Sequence, residues 1–468
     1  MAAVIEEKLG PEELEQAIRN DFTTNVVPSS HRRSTWQMTL IWITGNAGFS
    51  TLYTGYTLAQ GGLNLPTLIL SALIGNVILA CYWIGASYLG SHYGQTETLL
   101  ARSFMGRWGS YIVSVFIIVS SLGWYSFQAD LLGTMATTVF NIPNDLALVS
   151  LIAGLLMMVN NIVGFTSVSA YARYVAAPII SLWVIFAFAK VFATTPAHVL
   201  WAAPHVGQTI TLGVAASTFI GAVIWGSEPD FWRWGRPQIK ASIWPIVIAI
   251  VLGNFIFPVT GAAMAHVFNV ANFGKVVLFV SQYTIGITAL AALVFFITQV
   301  AINDLNLYEV VTAAKNMFPG PRVYYVLALG VLGAIFAYFQ VINYYIIIAE
   351  LTGVLVPCVT VIIMIDAWLL PRLFGLRRQV TRVAQWSEIA AINVPGVIAV
   401  AVGVVVGGYT GGIINPSFSW GIAPVNTWVA AGVVYVVIVA AIRSLPKDRL
   451  MHALGYSAPS IRAAEGEQ

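Results

Sequence analysis

Residues 294–311 read VFFITQVAINDLNLYEVV. An apolar run suited to lipid gives way to Gln299, Asn303, Asp304 and Asn306, and polar groups at membrane depth are costly and usually functional. Gln299, Asn303 and Asn306 fall at i, i+4 and i+7, one stripe of a helix. Amides both donate and accept, so the stripe suits the mixed hydrogen-bonding edge of an uncharged planar ring. It also suits hydrogen bonding between packed helices. Asp304 points about 100° away from Asn303, as an ionisable switch or as a buried acid capping a neighbouring helix. In SSLGWYSFQADLLG, Trp124 and Gln128 are four apart and share a face. An indole beside an amide can stack a flat heterocycle and read its edge; the alternative is a packing tryptophan with a glutamine bonded to the next helix.

The elements that must position these side chains are membrane helices. Of 468 residues, 58% are hydrophobic and only 9% charged, against about 25% charged in ordinary soluble proteins. A spanning helix needs roughly 20 mainly apolar residues. The runs of that kind are 36–59, 65–89, 109–140, 145–164, 170–193, 209–229, 239–264, 276–302, 323–347, 350–370, 389–407 and 423–442. The opening MAAVIEEKLGPEELEQAIRN is acidic and polar and reads as a cytoplasmic tail, not a cleavable signal peptide. With that end inside, 20 of the 22 Lys and Arg fall on the cytoplasmic side and only Lys190 and Lys275 outside, as basic-residue retention requires. Both termini are then cytoplasmic and the chain is a multi-pass protein of the cell membrane.

The net charge of +3 reports this orientation, with no basic cluster for nucleic acid and no obligatory protein partner implied beyond the bilayer. Cys81 and Cys358 lie inside apolar runs and read as packing residues. The six histidines, His31, His92, His198, His205, His266 and His452, are scattered. No metal spacing, phosphate-cradling loop or nucleophile motif appears, so the sequence points away from an enzyme, a metal centre or a cofactor.

Two spans carry breaks. Gly45, Asn46 and Gly48 crowd the middle of the first, TGNAGFSTLYTG. Unpaired backbone in lipid is tolerated only where it lines a protected cavity, so this is either an unwound segment or a tight crossing of small residues. The sixth, AASTFIGAVIWGSEPDFWRWGRP, contains Gly221, Gly226 and Pro229. Interrupted helices five apart are what an inverted repeat produces, with substrate held between them at the midplane. The expected organisation is a tail (1–35), two five-helix repeats (36–193 and 209–370), two further helices (389–442) and a second tail (443–468).

Six patterns in order, GGLNLPTLILSALIGN, GQTETLLARSFMGRWGS in the loop after helix two, GWYSFQ, PDFWRWGR, NDLNLY and GIAPVNTWVAAGVVY, give the chain a resemblance to the nucleobase-cation symporter family, first class. That group includes cytosine and purine permeases and hydantoin and allantoin transporters, and the cytosine permeases are the most similar. The resemblance implies an all-α leucine-transporter-type fold of ten plus two helices, with substrate between helices one, three, six and eight. It implies that Trp124 stacks the substrate, that Gln128 and Asn303 read its edge, and that Thr298 stands where cytosine permeases place another amide. The second stacking aromatic should fall at Gly221; Phe219 is the nearest substitute and Trp225 the next. Helix-eight hydroxyl ligands of sodium-coupled members are replaced by Ala301 and Ile302. The co-transported cation is therefore expected to be a proton, or sodium held by helix-one carbonyls from Gly45, Asn46, Gly48 and Phe49 with Thr298; Asp304 occurs with either ion. The implied function is import of a nucleobase-like heterocycle, cytosine or a purine, by cation symport and alternating access. The competing expectation is a carrier of the same fold for allantoin, hydantoin, a thiamine precursor or an amino acid.

Overall fold

A computed structural model describes residues 10–12, 15, 17, 21–142, 145–202, 207, 209–268, 288–378, 380 and 382–456. Residues 276–287 of the eighth expected span, and Lys275 and His205, lie outside that set. The described residues form helices and no strands. In chain order these are α1 (Thr35–Asn46), α2 (Phe49–Gln60), α3 (Leu65–Tyr93), α4 (Glu97–Val139), α5 (Leu146–Met157), α6 (Phe165–Thr194), α7 (Leu212–Gly221), α8 (Glu228–Trp232) and α9 (Ile239–Val267). They continue with α10 (Thr288–Met317), α11 (Arg322–Tyr338), α12 (Val341–Phe374), α13 (Val394–Thr410), α14 (Ala423–Ile442) and α15 (Lys447–Ala453). Six of these, α3, α4, α6, α9, α12 and α14, are long and apolar enough to cross a membrane. α10 takes up the described part of the eighth expected span, 288–302, and continues through Asp304, Glu309 and Lys315.

Local chemistry sets the helix ends. Ser34 and Gln37 form a reciprocal capping box at the start of α1, satisfying N–H groups that lack helical partners. Asn64 and Thr96 cap α3 and α4. The loop expected before the third span is instead helical from Glu97, and Gly106, at φ 77°, turns the helix before it continues. A side chain there would strike the backbone of Ala390 and Ile392, because Trp108 N–H donates to the Ala391 carbonyl at 3.0 Å.

The first and sixth spans are each two helices with a gap. α1 stops at Asn46, whose amide bonds back to the Trp42 carbonyl at 2.6 Å, and α2 starts after an extended Gly48. Asn in that position competes with the helix for its own backbone. α7 stops at Gly221 and α8 begins at Glu228. Gly226 sits at φ +76° with Val356 against its α-carbon, so only glycine fits both the conformation and the space.

The helices pack as two bodies. α1 and α2 lie against α9, and α7 and α8 against α3; α10 runs along α4, with α5 and α11 beside them. Helices one, two, six and seven thus face helices three, four, eight and nine. The seam between the bodies contains both gaps. Across one end of that seam lies the N-terminal segment. Arg233 donates to the carbonyls of Asp21 (2.7 Å) and Phe22 (2.6 Å), and Asp21 pairs with Arg322 of α11 at 3.6 Å and accepts from the Phe165 N–H at 3.0 Å.

Candidate functional site

A small cavity lies where the two helix gaps meet. It is lined by Gly45 of α1, Ser121, Trp124 and Gln128 of α4, the Ala222–Trp225 gap, Ile302, Asn306 and Glu309 of α10, and Thr352 of α12. On α4 the spacing of Ser121, Trp124 and Gln128 is i, i+3 and i+7, one helix face. The free space is about 20 Å³, enough for about one water molecule. That space is too small for a planar ring. A larger cavity of about 430 Å³ lies among Leu132, Met135, Leu156, Phe295 and Phe296, but it has no polar side chain to orient a heterocycle.

The cavity wall is held from behind. Trp124 donates its indole N–H to the Thr352 hydroxyl at 2.8 Å and meets Phe127 and Tyr345 edge-on. Gln128 accepts from the Gln299 amide. Trp225 packs edge-to-face on Phe231, and its buried indole N–H has no partner among the described residues. Glu228, at the start of α8, accepts from the N–H groups of Trp225 and Gly226 (both 3.1 Å), the Trp83 indole (2.9 Å) and the Tyr82 hydroxyl (3.1 Å). A carboxylate at a helix N-terminus meets both the unpaired N–H groups and the positive end of the helix dipole, and here it fixes the gap that presents Trp225.

The structure brings Trp124, Gln128, Gly45, Asn306 and the second-choice aromatic Trp225 to the cavity, and places Asn303, Phe219, Thr298, Asp304, Asn46, Gly48 and Phe49 outside its lining. Asn303 points to the Tyr125 carbonyl (3.2 Å) and the Met157 sulfur (2.9 Å), and its oxygen accepts from Asn306 at 3.2 Å. At about 100° per residue, Asn306 lies about 60° from Asn303 around α10 and about the same from Glu309, so the helix face that meets the cavity holds Asn306 and Glu309 and excludes Asn303. Phe219 is fully buried against α3, with its carbonyl accepting from Asn254 at 2.8 Å. Gly221 backs onto the Ala349 carbonyl, leaving no room for an aromatic ring.

Thr298 spends its hydroxyl on the Val294 and Phe295 carbonyls, each at 3.0 Å. Asp304 accepts from Asn160 (2.5 Å) and Asn161 (3.2 Å) at the junction between α5 and α6. It therefore ties helices together on the side of α10 away from the cavity. Around the helix-one gap, Phe49 packs on Trp183, Phe257 and Phe295. A side chain at Gly48 would meet Ile302 at 2.9 Å, while Asn46 Oδ1 and Ser50 Oγ are buried with no partner among the described residues.

The sequence reading passed over Glu309, Ser121 and Glu228. Glu309 continues the polar stripe three residues beyond Asn306, the one sequence signal that could have flagged it. Glu228 stands in GSEP, an acid with Pro at a helix start, which is a recognisable entry signal.

A helical bundle whose two interrupted helices meet at a small cavity lined by indoles, amides and a buried acid has the architecture of a membrane carrier. The chain belongs to the family of permeases for cytosine/purines, uracil, thiamine and allantoin, matched over residues 26–427. It is 27% identical over 277 residues to the cytosine permease of Escherichia coli (strain K12), a match spanning 55% of this chain and 61% of that protein. Its fold is similar to that of Mhp1, a nucleobase-cation-symport-1 family transporter solved closed with bromovinylhydantoin bound, with TM-score 0.70 and 16% identity over 92% of this chain and 98% of that one. Inward-facing Mhp1 gives TM-score 0.69 at 16% identity, covering 99% and 96%. A Na+-coupled sialic acid symporter gives 0.59 at 12% identity, covering 87% and 90%. These likenesses establish the leucine-transporter-type fold.

Proposed function

We propose that the protein is a secondary active transporter of the cell membrane, both termini cytoplasmic, that imports a nucleobase or related planar heterocycle, cytosine or a purine foremost, by cation symport. The observation that carries this is the wall of the cavity: two indoles, Trp124 and Trp225, and two amides, Gln128 and Asn306, converge where both broken helices meet. Rings stack on indoles, and amides read edges that mix donors and acceptors. Asn303 acts one layer back by holding Asn306, and Phe219 and Thr298 support the helices that bear the site.

Alternating access follows from the seam. The space of about 20 Å³ admits no ring, so cargo enters and leaves as the body of helices one, two, six and seven rocks against that of helices three, four, eight and nine. For the coupling ion, the helix-one gap at Gly45, Asn46, Gly48 and Phe49 leaves Asn46 Oδ1 and Ser50 Oγ unpartnered among the described residues but faces Ile302, which has no oxygen to offer, and the Thr298 hydroxyl and Asp304 are engaged within the protein. Sodium wants several oxygen ligands; this favours a proton. Uptake of radiolabelled cytosine, adenine, guanine, uracil, allantoin and hydantoin into expressing cells tests the reading, together with thermal shifts of purified protein with and without sodium. Transport of amino acids but of no heterocycle would refute it, and a shift that requires sodium would refute proton coupling.

A further inference from the structure

Glu309 is fully buried on the wall of the cavity, between the two bodies. Its oxygens accept from the Ser121 hydroxyl of α4 at 2.8 Å and from the Ser227 hydroxyl at the start of α8. Both partners are neutral. The residues that line the cavity with it from α4, α1 and α12 are Ser121, Trp124, Gln128, Gly45 and Thr352, none a charged group. The charged groups that bear on it from α8 are Asp230 and Glu228, themselves acids. Arg233 of that segment is turned away to Asp21, Phe22 and Tyr308. On its own helix, Asp304 is turned to Asn160 and Asn161. Glu309 forms no ion pair among the described residues. A bare carboxylate in a dry site with two neutral donors is expensive, whereas a carboxylic acid is one donor and one acceptor side by side.

We propose that Glu309 is the proton-binding site of the transporter and that its protonated carboxyl pairs directly with the cargo. Its O–H donates to a ring nitrogen or carbonyl, and its other oxygen accepts from the adjacent N–H or amino group. Cytosine and adenine present such an edge as N=C–NH2, and oxo rings as O=C–NH. Proton and cargo then bind as one unit, and each stabilises the other's occupancy by the same factor. On the inner side the carboxyl loses its proton to the cytoplasm, and the ring, left facing an acceptor-only carboxylate, departs. Because Ser121 and Ser227 hold the same carboxyl from opposite bodies, the protonation state also reaches the seam. This inference rests on the heterocycle reading of the cavity.

The test is Glu309→Gln, since Gln reproduces the donor and acceptor of the protonated acid without titrating. Purified wild type is expected to bind cytosine or adenine about tenfold more weakly for each pH unit above the carboxyl's titration, and E309Q to bind with no pH dependence. In proteoliposomes with an imposed proton gradient, wild type concentrates the base while E309Q only equilibrates it. A measurement on wild type alone covers the case that E309Q misfolds: in weak buffer above that titration, base binding takes up about one proton per site. Proton-driven accumulation by E309Q, or wild-type binding with neither pH dependence nor proton uptake, overturns the proposal. If bases are carried with sodium and no proton moves, the heterocycle reading stands and this inference alone falls. If no heterocycle binds wild type, both fall.

Discussion

Replacing Asp21 by Ala tests whether the N-terminal segment closes the seam. Its carboxylate accepts the Phe165 N–H at 3.0 Å and faces Arg322 at 3.6 Å, while Arg233 is engaged by the backbone carbonyls of Asp21 and Phe22, which the substitution spares. Arg322 also retains Asn161 as a partner of its Nε and Nη2, while its Nη1 loses the carboxylate it faces. The loss is then that of one charge-assisted hydrogen bond plus a long ion pair, about 1.5–3 kcal/mol. The segment links Arg233 and Trp234, after helix six, with Phe165 at the start of α6 and Arg322 of the other body. The loss therefore falls on the closed arrangement of that end. At 1.4 kcal/mol per factor of ten, the population open there rises about 10- to 100-fold. Hydrogen–deuterium exchange reads this directly, as faster exchange by that factor in peptides covering 160–168 and 226–236, with the middle of α13 unchanged. Unchanged exchange in both peptides of a folded D21A protein would show that the segment merely rests on the surface.

Other substitutions separate the cavity wall from its supports. Trp124→Ala and Trp225→Ala should each weaken base binding about 5- to 150-fold, the worth of one stacking contact, in an equilibrium binding assay, whereas Phe219→Ala should lower thermal stability and leave the affinity of the folded protein near wild type. Glu228→Ala strands two backbone N–H groups, an indole and a hydroxyl; about 2–5 kcal/mol of stability should go, seen as a lowered thermal midpoint, with Glu228→Gln less affected. Asp304→Asn places a donor against the Asn160 and Asn161 amides. It should reduce stability by about 1–3 kcal/mol without changing the ion dependence of uptake, and a switch in that dependence would restore Asp304 as the coupling acid.

The sequence alone determined the solvent, the class and the weak points of the helices. Low charge and long apolar runs require lipid, and Gly45–Asn46 and Gly221–Gly226 mark the gaps because their backbone effects are local. The shared face of Trp124 and Gln128 was also legible, since helical spacing sets angles within one element. What spacing cannot set is the rotation of one helix against its neighbours. Packing of α10 on α4 turns Asn306 and Glu309 inward and Asn303 to the Tyr125 carbonyl. The position of Glu228 turns Trp225, rather than Phe219, into the cavity. Asp304 found its partners 144 and 143 positions away, a pairing that depends on how α10 packs against the turn after α5 and so belongs to the tertiary structure.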